Sequence, residues 1–290
     1  EWTMYSERIP PAEYAKLTER FRPQKDFAKH WAELIANAGA KYAVLTTRHH
    51  DGFCLFESKY SDFNSCNSAA KRDLIAEYVD ALIEAGLKVG LYYSLLDWRF
   101  PGYFEPEKYP ESSAALIDQT HNQVRELMTN YGQIDILEYD GSWSAAMGTE
   151  RSENAEFWRS KELNAMVRKL QPQIIINNRS GTDEDLDTPE QQVIASGEGR
   201  GWESCMTIAD SVGWGFVRNN PNFKTIPQLL QYLCIAAQGE GNLLLNIGPE
   251  ADARIRSEER YGLLAMGNWL QKNEESIRNS QRCELIGSSA

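Results

Sequence analysis

The sequence predicts a single α/β domain over residues 1–290, of the (β/α)8 TIM-barrel-like class, with the first strand not visible in the chain. Helical and strand patterns alternate, the strands are nearly continuous apolar runs, and polar or aromatic residues follow each strand. An open doubly wound sheet would carry a glycine-rich phosphate loop, and no GxGxxG, GKS or GKT occurs. Polar groups after all the strands favour the barrel, whose site gathers loops from every strand.

Apolar residues recur at helical spacing in six segments, most of which have recognisable ends. Asp26 and Asp73 are predicted N-caps, and Gly39, Gly86 and Gly132 follow predicted helix ends. The residues up to about 22 are polar and interrupted by proline, which predicts a loop. The predicted helices cover residues 26–38, 73–86, 114–130, 153–170, 226–238 and 257–277.

Six apolar runs predict buried strands, which is two fewer than a barrel needs. Residues 180–201 interrupt the alternation, because they are acidic and glycine-rich with little helical periodicity. Residues 277–282 or 284–286 are the candidates for a weak closing strand. The six predicted strands cover residues 41–47, 88–98, 134–140, 173–179, 204–208 and 242–249.

Charge and composition exclude several classes of function. The net charge of −12 argues against nucleic acid or an anionic membrane as a partner, because a negative field repels phosphate. No run of 18 apolar residues occurs, so no membrane span is predicted. The five cysteines are odd in number and form no CxxC pair, which argues against a disulfide framework or a zinc ribbon. We predict no cofactor and leave the oligomeric state open.

The segment QIDILEYDGSW at residues 133–143 is the strongest local candidate for a functional site. Its apolar run ends at Asp140, which Gly141 follows, and aromatic residues flank the acid at Tyr139 and Trp143. A barrel presents a catalytic carboxylate in this way, at the carboxyl end of a strand. A solvated Asp-Gly turn is an equally good interpretation of this segment taken alone.

A set of motifs extends over most of residues 1–277. HHDGF is followed by YYSLLDW and WESCMTI, and the segments DILEYDG, INNR, DTPEQ and NLLLNIGP accompany them. With these motifs the chain closely resembles the retaining α-L-fucosidases of glycoside hydrolase family 29. The resemblance implies a (β/α)8-like barrel that hydrolyses terminal α-L-fucose with retention of configuration. It also favours a secreted, periplasmic or lysosomal location.

The resemblance implies roles for individual residues. The family's nucleophile is the Asp that closes the fourth strand of the barrel, which corresponds to Asp140 here. The chain differs from the family pattern at Glu138, where a Trp is common, and the family's first strand would precede Glu1. The resemblance places sugar-binding side chains at Glu1, Trp2, His49, His50, Tyr92 and Arg179.

Retaining cleavage needs an acid/base carboxyl group about 5–5.5 Å from the nucleophile, and two glutamates are candidates. Glu190 in DTPEQ lies in the long loop after the predicted fifth strand, at the catalytic end. Glu203 lies at the start of the next strand, which is normally the non-catalytic end of a barrel. We therefore favour Glu190 and keep Glu203 as the alternative; a surface or salt-bridged glutamate is the non-catalytic interpretation of each.

Glu138 and Asp140 are two residues apart in one predicted strand, so their side chains are expected on the same face. Two carboxylates this close raise the pKa of one of them. We therefore predict that Glu138 is protonated or hydrogen-bonds a sugar hydroxyl. Arg179 is predicted to neutralise these carboxylates or to bind a hydroxyl, with a plain ion pair as the alternative.

The pair His49-His50 is predicted to bind sugar hydroxyls rather than a metal ion. Adjacent side chains on a strand point to opposite faces, so the two imidazoles would chelate one ion poorly. His30 and His121 lie within predicted helices and are interpreted as structural. Among the tryptophans, sugar contact is predicted for Trp2 and Trp214, and packing for Trp98, Trp143 and Trp202.

Three functions are compatible with these patterns. The leading one is an exo-acting α-L-fucosidase that acts on a fucosylated oligosaccharide or glycoconjugate. The alternative is an inactive or carbohydrate-binding relative, and turnover of 4-nitrophenyl α-L-fucoside separates the two. A third is a metal-dependent barrel hydrolase that uses the histidine pair, and activity resistant to EDTA would argue against it.

Overall fold

A computed structural model describes the protein at residues 2–143, 151–210, 213–220 and 222–278. The strands in these residues are β1 (Tyr42–Arg48), β2 (Lys88–Ser94), β3 (Ile136–Asp140), β4 (Ile175–Ile176), β5 (Leu186–Asp187), β6 (Gly201–Thr207) and β7 (Asn242–Asn246). They form two parallel sheets, ordered β1-β2-β3-β4 and β5-β6-β7. The predicted α/β class with parallel strands is confirmed, although the described strands do not close a barrel.

Side chains cap the first turns of two helices, one of them at the predicted N-cap Asp73. Asp73 Oδ1 accepts a hydrogen bond from Ala76 N at 2.9 Å, and Thr225 and Gln228 form a capping box. The α-helices are α1 (Thr3–Ser6), α2 (Pro11–Tyr14), α3 (Phe27–Asn37), α4 (Leu74–Glu84), α5 (Pro101–Phe104), α6 (Pro110–Asn130), α7 (Arg151–Phe157), α8 (Ser160–Leu170), α9 (Ile226–Gln238) and α10 (Ser257–Asn273). Short 3₁₀ segments occupy Ala15–Glu19, Asn178–Ser180 and Glu274–Ser276.

The chain divides into two compact units. The first comprises Glu1–Ala32 and Tyr42–Glu184, and it contains the four-stranded sheet. The second comprises Glu33–Lys41 and Asp185–Ala290, and it contains the three-stranded sheet. The single domain that the sequence analysis expects stays a prediction.

The four-stranded sheet places candidate site residues side by side. In the register of β2 and β3, Tyr92 lies beside Glu138 and Ser94 lies beside Asp140. Helix α4 is tied beneath the sheet by the Tyr78 hydroxyl, which donates to a backbone oxygen of β1 at 2.7 Å. The sheet's core is apolar and fully buried, with 0% exposure at Leu91, Tyr93, Leu137, Tyr139 and Ile176.

The three-stranded sheet is covered by α9 and α10. Ile208, Leu229 and Met266 form the centre of its core, and leucines of β7 pack against them. The Trp202 Nε1–H in β6 donates to Gly239 O at 2.9 Å, which joins the start of this strand to the end of α9. The predicted packing role of Trp202 therefore agrees with its 4% exposure.

The structure corrects several predicted boundaries. The loop predicted up to residue 22 instead contains α1, α2 and a 3₁₀ turn, which are too short to give a periodic pattern. The helix predicted over 153–170 is two helices, because Arg159 adopts a left-handed conformation at φ 52°. Residues 180–201, which were predicted to interrupt the alternation of helices and strands, contain β5, a strand of two residues. Ile277 and Arg278 are not in a strand, and the rest of the predicted closing strand lies outside the described residues.

No helix in the described part of the chain is long and apolar enough to cross a membrane.

Candidate functional site

Asp140 is the last residue of β3, where the chain leaves the sheet. Gly141 follows it at φ 69°, a conformation that favours glycine. A Cβ at this position would lie 2.9 Å from both the Leu96 side chain and Ser94 Oγ. The close approach of these two side chains to the backbone of residue 141 therefore also requires glycine. The Asp140 carbonyl accepts a hydrogen bond from Leu95 N at 2.8 Å, which fixes the backbone at the point where the carboxylate emerges.

Three side chains from three segments converge on the Asp140 carboxylate. The Tyr92 hydroxyl donates to Oδ2 at 2.7 Å, Arg179 Nη1 lies 3.6 Å from Oδ1, and His50 Nε2 lies 3.7 Å from Oδ2. Burial, and then the adjacent Asp140 charge, raise the pKa of Tyr92 well above its ordinary value, so the phenol keeps its proton and remains a donor. A hydrogen-bond donor and a cation thus lie next to the Asp140 carboxylate.

The two adjacent histidines lie together, and the expectation that they point to opposite faces is wrong. Strand β1 ends at Arg48, so the alternation of side chains along a strand no longer applies at His49 and His50. Their ring centroids are 3.9 Å apart. Burial, and then the charge of His50, lower the pKa of His49 to about 3, and burial, and then Arg48, lower that of His50 to about 3. Both imidazoles are therefore neutral near pH 7.

The histidine pair and Asp140 also have the geometry of a possible cation site. One donor atom from each of His49, His50 and Asp140 lies within 4.8 Å of the others. The geometric reason for excluding chelation is therefore wrong, while the absence of a metal stays a prediction. His49 Nδ1 is buried and has no hydrogen-bond partner within the described part of the chain, which is uncommon for a buried polar atom.

A buried ion pair joins Asp97 to Arg48, the residue directly before the two histidines. Arg48 and Asp97 are both fully buried, and Arg48 Nη2 lies 3.1 Å from Asp97 Oδ2. Arg99 Nη2 lies 2.6 Å from the same oxygen. Burial would raise the pKa of Asp97, but the charges of Arg48 and Arg99 prevail and hold it below the ordinary value. Asp97 is thus a structural anion that fixes the turn after β2, rather than a second catalytic acid.

Aromatic rings form a rim beside His50. The Trp2 ring centroid lies 5.5 Å from that of His50 and Trp2 is 39% exposed, while its contact with sugar stays a prediction. Trp98 is 7% exposed, in agreement with its predicted packing role. Trp143, also predicted to pack, is instead 38% exposed with its ring 5.5 Å from that of His50. Tyr5 stacks on Trp98 at 5.3 Å and is 51% exposed. We call Trp2, Tyr5, Trp98 and Trp143 the aromatic rim.

Glu138 is 7% exposed and lies beside Tyr92 in the sheet register. Its negative charge contributes to the raised pKa of Tyr92. The predicted proximity of Glu138 to the site is therefore supported, whereas its protonation and its contact with sugar stay predictions. Glu1 lies outside the described residues.

The two acid/base candidates belong to the second unit. Glu203 is 4% exposed near the start of β6, where it pairs in register with Asn242 of β7. Glu190 is exposed and forms an isolated parallel bridge with Cys205, two residues further toward the carboxyl end of β6. Burial does not decide between the two glutamates, because enzymes often bury a general acid to raise its pKa. The choice of Glu190 stays a prediction.

Trp214 lies half-buried in the loop after β6. The backbone of this loop lies against Gly248, where a Cβ would come within 2.7 Å of the carbonyl carbon of Gly215. Arg256 also lies 4.3 Å from the centroid of the Phe216 ring. The loop around Trp214 is therefore held on both sides, and the sugar contact predicted for Trp214 stays a prediction.

Sequence reasoning missed Ser94. Its hydroxyl donates to Leu96 O at 3.1 Å and lies 2.7 Å from His50 Nδ1. When Ser94 donates to Leu96 O, it accepts the Nδ1–H of His50 and leaves Nε2 as an acceptor for a substrate hydroxyl. No local signal in the sequence singles out Ser94, because its position beside Asp140 depends on the parallel register of β2 and β3.

The lowered pKa values of the two histidines predict that the protein loses stability in acid. The folded-state pKa values near 3 lie below the ordinary value of 6.5, so between these limits the unfolded chain binds more protons. We expect the free energy of unfolding to fall by about 2–3 kcal/mol for each imidazole between pH 7.5 and 4.5. Urea unfolding across this pH range measures the slope. His49→Gln/His50→Gln should flatten it, and His30→Gln, at an exposed histidine, should keep it.

A model of the α-L-fucosidase family matches residues 3–275 of the chain. Human plasma α-L-fucosidase is 31% identical over an alignment that covers 93% of this chain and 59% of that protein. The chain therefore spans about three fifths of the length of the curated relatives it matches.

Solved α-L-fucosidase structures superpose well on the chain. Isoenzyme 1 from Paenibacillus thiaminolyticus is 36% identical with a TM-score of 0.88, and the match covers 100% of this chain and 73% of that one. The family 29 enzyme of Bacteroides thetaiotaomicron is 27% identical with a TM-score of 0.87, over 97% of this chain and 68% of that one. That structure is a covalent intermediate trapped with 2-fluoro-fucosyl fluoride in a glutamate-to-glutamine variant.

Proposed function

Because this chain belongs to the α-L-fucosidase family, we propose that it hydrolyses terminal α-L-fucose by a retaining, double-displacement mechanism. The observation that carries the proposal is the Asp140 carboxylate at the end of β3, held by Tyr92 and faced by Arg179 and His50. The covalent intermediate trapped in the Bacteroides relative supports the retaining course.

In the first step an oxygen of Asp140 attacks the anomeric carbon, and the bond to the leaving-group oxygen breaks. The Tyr92 hydroxyl occupies Oδ2, which leaves Oδ1 as the attacking oxygen. The acid, for which we favour Glu190, transfers its proton to the departing alcohol. In the second step the same residue takes a proton from water, which displaces Asp140 and releases α-L-fucose. Two inversions at one carbon retain its configuration.

The remaining side chains bind and orient the sugar. Neutral His49 and His50 exchange hydrogen bonds with its hydroxyls, and Glu138 accepts another. Arg179 pairs with the Asp140 carboxylate and orients it for attack on the anomeric carbon. Trp2 and Trp214 provide ring surfaces for the apolar faces of the sugar. Glu203 remains the alternative acid/base, and Glu1 remains a proposed contact.

Hydrolysis of 4-nitrophenyl α-L-fucoside tests this function. Proton NMR should show α-L-fucose as the first sugar released, and EDTA should leave the rate unchanged. Binding of fucose without turnover would support the carbohydrate-binding alternative, and loss of activity with EDTA would support the metal-dependent hydrolase. We further propose that the enzyme works outside the cytoplasm, since its human relative is named a plasma enzyme; cell fractionation tests this location.

The aromatic rim predicts a contact with the group to which fucose is attached. Tyr5 is the most exposed ring of the rim, and it stacks on both Trp98 and Phe104. We expect Tyr5→Ala to lower kcat/KM about fivefold for a fucosylated trisaccharide, because one ring stack contributes about 1 kcal/mol. The rate with α-L-fucosyl fluoride, which has no attached sugar, should stay the same. Tyr60→Ala, at a similarly exposed tyrosine, is the control, and equal losses with both substrates would contradict the contact.

A further inference from the structure

The ladder between β3 and β4 is continued by a side chain after β4 ends. Ile175 N donates to Asp135 O at 2.9 Å, and Asn177 N donates to Leu137 O at 3.4 Å, as in a parallel pair. The next bonds would join Tyr139 to the backbone of residues 177 and 179. Instead, Tyr139 N donates to Asn177 Oδ1 at 2.8 Å, and Asn177 Nδ2 donates to Tyr139 O at 2.9 Å. The Asn177 carboxamide thus replaces two backbone groups.

The orientation of this amide follows from its partners. A backbone N–H can only donate and a backbone carbonyl can only accept, so Oδ1 faces Tyr139 N and Nδ2 faces Tyr139 O. Asn177 is 2% exposed, and both bonds are shielded from water. An Ala at this position would leave two buried backbone groups of β3 without partners.

Because the Asn177 side chain, and not backbone, pairs with Tyr139, the chain leaves the sheet after Asn177. Residues Asn178–Ser180 form a 3₁₀ turn, and this turn carries Arg179 to within 3.6 Å of Asp140. The far end of the turn is anchored independently, since Ser160 Oγ donates to Ser180 O at 2.6 Å. A β4 that continued in regular pairing would hold residue 179 in the sheet instead.

We propose that Asn177 is a positioning residue that sets the geometry of both Asp140 and Arg179. It fixes the peptide groups on either side of Tyr139, directly before Asp140, and it allows the turn that places the guanidinium. The inference rests on the proposed function, because positioning is measured through turnover. Asn177 does not contact the substrate; it acts through the two residues that do.

Asn177→Ala and Asn164→Ala form a matched pair for testing this role. Asn164 is also buried, at 3% exposure, and its amide donates to Ser180 Oγ, Thr182 Oγ1 and Glu184 Oε1. It therefore supports the same loop without a bond to β3 among the described contacts. With 4-nitrophenyl α-L-fucoside, we expect Asn177→Ala to lower kcat about 100-fold with KM nearly unchanged, since a displacement near 1 Å has this effect. Asn164→Ala should lower thermal stability with kcat within about threefold of the wild type.

A double-variant cycle tests whether Asn177 acts through Arg179. If it does, Asn177→Ala should reduce kcat much less in an Arg179→Ala background than in the wild type, whereas independent effects would multiply. If Asn177→Ala does not fold, Asn177→Asp keeps the acceptor for Tyr139 N but loses the donor to Tyr139 O. It should still show a loss in kcat rather than in KM. The extent of covalent labelling by 2-fluoro-fucosyl fluoride at completion counts the competent sites in each preparation.

The outcomes separate this inference from the proposed function. A wild-type protein that releases no fucose would overturn the proposed function itself. With an active wild type, near-normal kcat in Asn177→Ala or Asn177→Asp would overturn the positioning role. Equal losses in the Asn177 and Asn164 variants would show that Asn177 only stabilises the fold, and multiplicative effects with Arg179→Ala would overturn its action through Arg179.

Discussion

Replacing Asp140 by glycine should lower kcat for 4-nitrophenyl α-L-fucoside by roughly 10,000-fold, the size of loss typical of removing a nucleophile. The expected loss is large because the covalent fucosyl-enzyme intermediate cannot form without this carboxylate. Glycine also leaves space for a small anion between Arg179 and Tyr92, where the carboxylate lay. Sodium azide should therefore restore turnover and give β-L-fucosyl azide, whose inverted configuration NMR can identify.

Asp135 provides a control for this experiment in the same segment. It precedes β3, and its carboxylate pairs with Lys88 Nζ at 3.0 Å and accepts Val89 N at 2.9 Å. Asp135→Asn should reduce thermal stability slightly while keeping kcat and giving no response to azide. If Asp140→Gly retained more than a few per cent of wild-type activity, or gave fucosyl azide of retained configuration, Asp140 would not be the nucleophile.

Replacing Glu190 by alanine should reduce hydrolysis of a fucosylated oligosaccharide by about 1,000-fold, because an alkoxide leaving group must be protonated as it departs. Formation of the intermediate from 2,4-dinitrophenyl α-L-fucoside should be nearly unaffected, since that phenol leaves without a proton. Azide should accelerate the second step and yield α-L-fucosyl azide of retained configuration. Steady-state rates with the two substrates, with and without azide, measure the difference.

Glu203→Gln is the comparison variant for the acid/base. Glu203 is 4% exposed within β6, so its replacement should lower stability without the dependence on leaving group. The reverse result would assign the acid role to Glu203: normal activity on both substrates in Glu190→Ala, and a loss restricted to poor leaving groups in Glu203→Gln. The alkaline limb of the pH–rate profile should disappear in whichever variant lacks the acid.

The position of Asp140 illustrates what a local pattern can establish. An apolar run that ends in Asp-Gly predicts a strand, a carboxylate at its end and a tight turn, and β3 and Gly141 have these features. The N-cap at Asp73 and the six main strands were predicted for the same reason, because each depends on neighbours in sequence. Short helices near the N-terminus were missed because four residues are too few to show a period.

The neighbours of Asp140 depend instead on where each strand stops. His49 and His50 lie together because β1 ends one residue before them, and hydrophobic periodicity does not locate a strand end to one residue. The approach of Arg179 depends on Asn177 taking the place of backbone in the ladder, which requires a partner strand distant in sequence. No local signal distinguishes this asparagine from one in a solvated turn.

The sequence by itself determined the parallel α/β class, the order of the main strands along the chain and a carboxylate at a strand end, since periodicity, caps and strand-end residues depend on consecutive positions. The role of that carboxylate as nucleophile came from the family resemblance. Only the tertiary structure decided that neutral histidines lie side by side, that Asp97 is a buried structural anion and that a side-chain amide turns Arg179 toward Asp140. Each of these depends on burial and on pairing between segments far apart in the chain. These interactions set charge and direction at the site, and they exist only once the sheet has formed.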